Sequence, residues 1–150
     1  MGPMTTYLNP YLNFRGTARA AMEFYEAVLG GELKISTFKE LGGSSGPDDE
    51  DLIMHAQLET PTGLMLMGSD VPPHMEYSAG VNTFSVSLSG DDEAELTGYW
   101  QKLLDGADVG MPLSKAPWGD SFGMLHDKFG VSWLVNITGS SADMPSGASA

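Results

Sequence analysis

An internal repeat is the feature of this sequence that most restricts its fold. Landmarks of the first half of the chain return in the second half at an offset of about 75 residues. Gly16, Phe24-Tyr25, Val28-Leu29 and Gly31 recur as Gly90, Tyr99-Trp100, Leu103-Leu104 and Gly106. Each half is predicted to be one strand, one helix and three further strands, and such a β-α-β-β-β module is open along one face. We therefore predict an α+β fold in which the two modules pack edge to edge into a curved, cup-like mixed sheet.

Hydrophobic periodicity places the elements of module one, about residues 5–70. Apolar and polar side chains alternate from Tyr7 to Phe14, which is typical of a strand. Between Thr17 and Leu29 the apolar residues fall at helical spacing, and Gly30-Gly31 follows as a stop signal. The remaining predictions are strands over residues 32–38, 52–59 and 64–68, and a mobile loop over residues 40–51 that cannot pack a core.

Module two, about residues 81–138, repeats this order. Asp91 or Asp92 is placed to cap its helix, and Gly106 is placed to end it. Gly130 is predicted to take a positive φ in the turn of a closing β-hairpin. The predicted strands of the module lie over residues 81–89, 107–111, 121–126 and 131–137.

The closing hairpin carries a tryptophan at each end. Large aromatic rings suit a core or a pocket wall equally well. The interpretation adopted is a core position for Trp133, which lies within a β-branched and aromatic strand, and a pocket wall for Trp118, which precedes Gly119-Asp120.

Length and composition exclude several classes of protein. A chain of 150 residues suits one domain, here residues 1–139, followed by a disordered tail over residues 140–150 that is poor in apolar side chains. Cysteine is absent, which excludes thiol nucleophiles, disulfides and cysteine-bound zinc. A formal net charge of −13 argues against nucleic-acid partners and against anionic membranes. Neither a secretion signal nor a long apolar segment is evident, so a cytoplasmic location is predicted.

Three segments carry a resemblance to a known family: YLNFRGTARAAMEFYEAVLGGELK, the Ser69-Asp70 pair after an apolar strand, and PWGDSFGMLHDKFGVSWLVN. Over roughly residues 8–137 the chain resembles the PhnB-like branch of the vicinal oxygen chelate superfamily, which includes glyoxalase I, the bleomycin-resistance proteins and the extradiol dioxygenases. The resemblance implies paired modules, a ligand cavity inside the cup and a homodimer, which the exposed sheet edges also favour. Some members carry a demethylubiquinone methyltransferase label, but no Gly-rich loop after a strand supports it in this sequence.

Enzymes of this superfamily hold one divalent metal ion with four His, Glu or Gln ligands on the first and last strands of the two modules. By the resemblance, these four positions fall at Pro10, near Leu66, near Ser85 or Thr83, and at Leu134. They offer at most a hydroxyl, whereas a first-row metal needs several imidazole or carboxylate ligands. Neither a metal nor a cofactor is therefore predicted.

Four titratable residues keep alternative roles. His55 lies within a strand and is expected to be structural; His126 is expected to be structural as well, although with Asp127 beside it His126 could act as an oriented general base. Asp70 and Asp120 could receive a ligand amine or serve as acid and base, but the favoured interpretation is that they cap backbone amides at turns. No catalytic residue is assigned.

The cavity-facing positions inferred from the ligand mapping are mainly apolar in module one and rich in hydroxyls in module two. Such a lining is typical of a small-molecule site with few orienting polar groups. The predicted ligand-binding residues are Leu12, Phe14, Leu66, Ser85, Trp118, Phe122 and Leu134. The predicted function is metal-independent binding of a small hydrophobic molecule. The alternative is a metal-dependent lyase, isomerase or dioxygenase of the same superfamily, and whether the protein is an enzyme stays open.

Overall fold

The computed structural model describes residues 8–44, 46–78 and 84–139. Within these ranges the chain forms two helices and eight strands. In chain order they are β1 (Tyr11–Phe14), α1 (Ala18–Leu29), β2 (Glu32–Thr37), β3 (Ile53–Glu59), β4 (Met65–Asp70), β5 (Val86–Gly90), α2 (Glu93–Leu103), β6 (Asp108–Lys115), β7 (Ser121–His126) and β8 (Ser132–Ile137). The predicted disordered tail and the predicted start of module two at residues 81–83 lie outside the described residues.

Contacts divide the chain into two compact units, Met1–Ser78 and Ala79–Ala150, which we call module one and module two. The sheet of module one has the strand order β1-β4-β3-β2, and β1 runs parallel to β4. Module two repeats this topology with the order β5-β8-β7-β6, and β5 runs parallel to β8. The remaining strand pairs are antiparallel. The predicted α+β fold of two β-α-β-β-β modules is confirmed, whereas the single domain and the cup stay predictions.

Helix α1 covers one face of the sheet of module one. Its buried residues recur at helical spacing, as Ala18, Ala21, Met22, Tyr25 and Val28. At Gly68 an added Cβ would lie 3.3 Å from the Met22 sulfur and 3.0 Å from the carbonyl oxygen of Leu12. Glycine at this position therefore lets α1 approach the sheet closely, and the core of module one lies between them.

Helix α2 covers the corresponding face of module two. The Asp92 carboxylate accepts a hydrogen bond from the backbone N–H of Glu95 at 3.0 Å, so Asp92 is the predicted cap. The helix buries Leu96, Trp100 and Leu103. An added Cβ at Gly123 would lie 2.9 Å from the Trp100 ring, which shows that the ring packs directly on β7.

The closing hairpin follows the sequence pattern closely. β7 has the predicted bounds, β8 begins one residue later than predicted, and Gly130 has a φ of +87°. Trp133 has no exposed surface, and its indole N–H donates to the Asp127 carboxylate at 2.9 Å. The core interpretation of Trp133 is confirmed, because its ring is buried and its one polar group is paired.

The loop between β2 and β3 is less solvated than its composition suggested. Its Asp49 is buried and accepts a hydrogen bond from the Ser44 hydroxyl at 2.8 Å. Backbone N–H groups of Phe38 and Lys39 donate to carbonyl oxygens across the loop, on Leu52 and Glu50. Polar pairing inside the loop, which composition does not reveal, accounts for the difference.

Candidate functional site

Each sheet has one face covered by its helix and a second face, which we call the helix-distal face. Residues paired in register point to the same side of a sheet, and alternate residues along a strand point to opposite sides. The register and the glycine contacts therefore assign the strand residues named here to a face. The helix-distal face of module one includes Tyr11, Asn13, Ser36, His55, Gln57, Met67 and Ser69. That of module two includes Ser85, Ser87, Ser89, Phe122, Met124, His126, Ser132, Leu134 and Asn136.

The helix-distal face of module two brings together three of the predicted ligand-binding residues, Ser85, Phe122 and Leu134. Leu134 lies in register with Met124 on one side and with Ser87 on the other. Phe122, Met124 and Leu134 are each half-buried within their module. These three side chains form an apolar cluster across β7 and β8 that is accessible on its outer side.

Hydroxyl groups border this apolar cluster along β5. The Ser85 and Ser132 hydroxyls are hydrogen-bonded to each other at 2.7 Å, and those of Ser87 and Ser89 at 3.2 Å. A serine hydroxyl that donates one bond keeps acceptor capacity, so the pairs can still bond a ligand. The face is therefore apolar in its centre and hydrogen-bonding along one edge.

His126 lies at one end of the same face. It is half-buried and in register with Ser132 and Asp108. The neighbouring Asp127 points to the other side of the strand, where its carboxylate accepts from the backbone N–H groups of Phe129 and Val131 and from the Trp133 indole. Because these bonds hold the Asp127 carboxylate in the turn and the core, the geometry does not support the alternative of an Asp127-oriented base.

Trp118 occupies the turn between β6 and β7 and is 57% exposed. The turn is closed by two backbone bonds, from Ala116 N–H to the Asp120 carbonyl oxygen and from Gly119 N–H to the Ala116 carbonyl oxygen. The Asp120 carboxylate is fully buried and accepts from the Gly139 N–H at 2.9 Å. A rigid turn thus presents the exposed indole ring, and Asp120 has the capping role that the sequence favoured.

The three predicted ligand-binding residues of module one lie in its core. Leu12, Phe14 and Leu66 are at most 6% exposed. Leu12 is in register with Gly68, where an added Cβ would point toward Met22 of α1. Ligand contact by these residues stays a prediction, but their position beneath α1 favours a packing role.

The helix-distal face of module one carries residues that the cavity mapping missed. The rings of Tyr11 and His55 approach with centroids 6.1 Å apart, tilted by 37°. Tyr11 is on β1 and His55 on β3, so the two rings lean toward each other above β4, which lies between those strands. Tyr11 could have been found from the sequence, because side chains alternate along β1 and Tyr11 therefore lies on the face opposite to its neighbour Leu12, which was predicted to bind the ligand.

Asp70 ends β4 and is 3% exposed. One carboxylate oxygen accepts from the backbone N–H groups of Gly16 at 2.8 Å and Ala18 at 3.0 Å, and the other accepts from Ile53 at 3.0 Å. These bonds join the β1–α1 turn, the start of β3 and the end of β4. Asp70 therefore caps backbone amides, as the sequence favoured.

The donor set does not fit the metal centre that the superfamily implies. Among residues 8–44, 46–78 and 84–139 there is no group of three or more His, Asp or Glu side chains that could hold a metal ion. The positions that correspond to the superfamily's ligands are Pro10, Leu66, Ser85 or Thr83, and Leu134, and Leu66 is buried in the core.

The fold and the two sheet faces define the class of protein. A glyoxylase/bleomycin resistance protein/dioxygenase domain from Frankia sp. EAN1pec superposes with a TM-score of 0.61, covering 91% of this chain and 99% of that chain at 14% identity. This likeness shows the fold. No helix among the described residues is long and apolar enough to cross a membrane. The fold is therefore that of the glyoxalase/bleomycin-resistance/dioxygenase superfamily.

Residues 6–136 match the family described as 3-demethylubiquinone-9 3-methyltransferase. The chain belongs to this family. Protein PA1353 from Pseudomonas aeruginosa is 39% identical, with a TM-score of 0.75 over 89% of this chain and 98% of that chain. The PhnB protein from Bacillus cereus is 28% identical, with a TM-score of 0.67 over 89% of this chain and 100% of that chain. The resemblance to PhnB-like proteins is confirmed.

Proposed function

We propose that the protein binds a small hydrophobic molecule on the helix-distal face of module two, without a metal ion. The observation that supports this proposal most directly is the apolar cluster of Phe122, Met124 and Leu134, half-buried and bordered by serine hydroxyls. Apolar surface supplies binding free energy, and a few hydrogen-bonding groups supply orientation. Methionine adds adaptability, because its thioether chain repacks around ligands of different shape.

Two further predicted residues have roles in this proposal. Ser85 contributes a hydroxyl next to the apolar cluster, paired with Ser132. Trp118 contributes an exposed ring on the turn that the Asp120 carbonyl oxygen closes, next to the start of β7 where Phe122 lies. An aromatic ring on a rigid turn loses little conformational entropy when it contacts a ligand.

Metal independence is proposed from the chemistry of the donors. Asn136 is the amide nearest the apolar cluster in register, and its side-chain N–H is already directed to Asp120 at 3.4 Å. Serine hydroxyls, the imidazole of His126 and the carboxylate of Asp108, which is in register with His126, complete the polar groups on the described strands of this face. A divalent first-row metal is held by several imidazole, thiolate or carboxylate ligands, and this set is poorer than that.

The test uses aminoanthracene, a neutral fluorescent probe, titrated into the full chain after treatment with a chelator. We expect saturable binding, and about a tenfold loss of affinity in Leu134→Asn, because removing a leucine contact costs on the order of 1.5 kcal/mol or more. The matched control is Leu104→Asn, since Leu104 is a leucine at the end of α2 that is 39% exposed. Its affinity for the probe should equal that of the unmodified chain.

Two results would overturn the proposal. One is an absence of saturable binding, or equal losses in both leucine variants. The other is a divalent metal present in stoichiometric amount by elemental mass spectrometry and needed for probe binding. That second result would favour the alternative function, a metal-dependent lyase, isomerase or dioxygenase. The methyl transfer named in the family's description is tested in the same titration with S-adenosylmethionine, which should leave the melting temperature unchanged if no site for it exists.

The proposal also includes a homodimer in the cytoplasm. Each four-stranded sheet ends in two edge strands of its own, β1 and β2 in module one and β5 and β6 in module two. Edge strands carry backbone N–H and C=O groups that favour association when they are not otherwise covered.

A further inference from the structure

The turn between α2 and β6 contains a pair of residues that can react with each other. Asp105-Gly106 is the one Asp-Gly pair of the sequence, and Asn-Gly does not occur. A backbone amide nitrogen can attack the side-chain carboxyl group of the aspartate that precedes it and close a five-membered succinimide ring. Glycine in the second position hinders this attack least, because it has no side chain. The Asp105 carboxyl group and the Gly106 nitrogen are therefore the reactants to consider.

The structure leaves this pair accessible. The Asp105 side chain is 72% exposed. The turn is closed by the Ala107 N–H, which donates to the Leu104 carbonyl oxygen at 3.0 Å. Asp105 and Gly106 are the two central residues of this turn, so its closing bond engages the nitrogen of Ala107 and not that of Gly106. Both reactants, and the water that the second half of the reaction consumes, therefore meet in solvent.

The fold requires glycine at position 106. Gly106 has a φ of +72°, a conformation that residues with a side chain rarely adopt. An added Cβ would also lie 2.9 Å from the Cβ of Lys128. The way in which α2 ends therefore keeps a glycine directly after Asp105.

An ion pair restrains the Asp105 side chain. Its carboxylate lies 2.9 Å from the ammonium group of Lys128, whose side chain is 37% exposed. Exposed ion pairs contribute little free energy, because water screens them and two side chains lose freedom in forming them. The pair therefore slows rotation of the carboxyl group toward the Gly106 nitrogen without preventing it.

Asp120-Ser121 provides a contrast within the same module. Serine is also a small residue, so this pair has some reactivity in a free peptide. The Asp120 carboxylate, however, is fully buried, and it accepts hydrogen bonds from the Gly139 N–H at 2.9 Å and from the Asn136 side chain at 3.4 Å. Burial and bonding hold this carboxylate in place, which gives the module one restrained and one accessible aspartate before a small residue.

We propose that Asp105 is a site of spontaneous isomerisation to isoaspartate in the folded chain. The Gly106 nitrogen forms a bond to Cγ of Asp105, and the nitrogen's proton and the carboxyl oxygen leave as water. Water then adds to one of the two ring carbonyl carbons and opens the ring. Opening at the side-chain carbonyl restores aspartate. Opening at the backbone carbonyl leaves the chain running through Cγ, and the water released first is regained, so the net change is an isomerisation.

The isomerised backbone has one additional methylene group between α2 and β6. The bond from the Ala107 N–H to the Leu104 carbonyl oxygen would then have to close a longer ring. The remaining carboxylate is attached directly to Cα, which displaces it from Lys128. Strand β6 begins at Asp108, in register with His126, directly after this turn. Amide hydrogen exchange should therefore accelerate at Ala107 and at the start of β6 in the isomerised chain.

The test incubates the full chain at neutral pH, below its melting temperature, and maps its tryptic peptides over time. Cleavage after lysine places Asp105 in the peptide 103–115 and Asp120 in the peptide 116–128. Chromatography separates the isomeric peptides, and electron-transfer fragmentation identifies the residue that has become isoaspartate. We expect isoaspartate to accumulate at Asp105 and not at Asp120. The same two peptides, incubated after digestion, are the unfolded reference, in which both aspartates should react.

Three variants assign the reaction. Asp105→Glu keeps the charge but would need a six-membered ring, so isomerisation should stop. Asp105→Asn should react faster than the unmodified chain, because an uncharged amide is attacked more readily than a carboxylate, and it should release ammonia and give aspartate and isoaspartate. Lys128→Met keeps an unbranched side chain beside Gly106 and removes the ammonium group. Its rate should rise about two- to fivefold, the size expected for the loss of an exposed ion pair.

Four results would contradict this reasoning. Absence of isoaspartate at Asp105 in the folded chain, while the free peptide forms it, would overturn the proposal, and so would equal accumulation at Asp105 and Asp120. An Asp105→Asn chain that keeps its asparagine would show that the turn holds the Gly106 nitrogen away from the side chain, which also overturns it. An unchanged rate in Lys128→Met would refute the restraint assigned to the ion pair.

Discussion

Replacement of Asp70 by alanine should destabilise module one strongly. The Asp70 carboxylate accepts three backbone hydrogen bonds, from Gly16, Ala18 and Ile53, at 2.8 to 3.0 Å. Hydrogen bonds to a charged group contribute roughly 1.5–3 kcal/mol each, and part of that sum is offset because the variant no longer buries a carboxylate. Buried N–H groups of Ala18 and Ile53 are left unpaired. We expect a loss of about 3–5 kcal/mol in the free energy of unfolding.

A loss of this size is readily measured. In a domain of about 150 residues each kcal/mol shifts the melting temperature by roughly 2–4 °C, so Asp70→Ala should melt roughly 6–20 °C lower. Urea unfolding followed by circular dichroism gives the free energy, and amide hydrogen exchange locates it. Exchange should accelerate first at Ala18 and Ile53, whose N–H groups lose their acceptor.

Two variants isolate the cause. Asp70→Asn keeps one acceptor oxygen but turns an amide donor toward another backbone donor, so it should lose about half as much stability as Asp70→Ala. Asp51→Ala removes the same charge from an exposed loop position and should change stability by less than about 0.5 kcal/mol. If Asp70→Ala were no less stable than Asp51→Ala, the capping role assigned to this carboxylate would be refuted.

Three further predictions concern other parts of the molecule. Burial and, after it, the hydrogen bond to Glu95 raise the pKa of Tyr99 to about 12. A tyrosine in the unfolded chain ionises near pH 10. Tyr99 should therefore stabilise the folded state below about pH 10, and this contribution should be lost as the pH rises through about 12. Ultraviolet titration should show a late phenolate component that Tyr99→Phe removes, and an unchanged titration curve in that variant would contradict the prediction. Trp133→Phe removes the indole donor to Asp127 and should lower the free energy of unfolding, measured in urea, by roughly 2–4 kcal/mol. Trp118→Phe, at an exposed site, should lower it by less than about 0.5 kcal/mol. Equal losses in the two variants would exclude a core role for Trp133. Light scattering should give twice the chain mass of 16.0 kDa at micromolar concentration, and a mass of one chain would refute the dimer.

Local signals made much of the fold predictable. The hairpin strands, the Gly130 turn and the Asp92 cap each depend on residues a few positions apart, and propensity and periodicity report such contacts directly. The repeat then extended these local predictions to two equivalent modules. The succession of helices and strands is therefore the part of the structure that short-range patterns determine.

Contacts between residues distant in sequence were less accessible. Asp70 bonds Gly16 and Ala18 across more than 50 residues, and Asp127 bonds Trp133 across a turn. The residue type and the neighbouring turn suggested capping but could not name the amides that are capped. The contact between Tyr11 and His55 depends on the order of strands in the sheet, which the sequence of either strand does not contain.

The spacing of the repeat explains why the predicted cavity positions fall on the helix-distal face at Ser85 in module two but in the core along β1 of module one. Gly16 and Gly90 are 74 residues apart, whereas Tyr25 and Trp100 are 75 apart, so one residue is gained between the first strand and the helix of module two. Because side chains alternate along a strand, a change of one residue exchanges the two faces. The helix spacing pairs Ser85 with Pro10, the position used for the metal ligand.

The strand spacing instead pairs Ser85 with Tyr11 and Ser87 with Asn13, and in the structure all four belong to helix-distal faces. Equivalent positions of the two modules therefore carry a hydroxyl in one and an aromatic ring or an amide in the other. The two modules have the same topology, and the residues that differ at these positions give their helix-distal faces different chemistry.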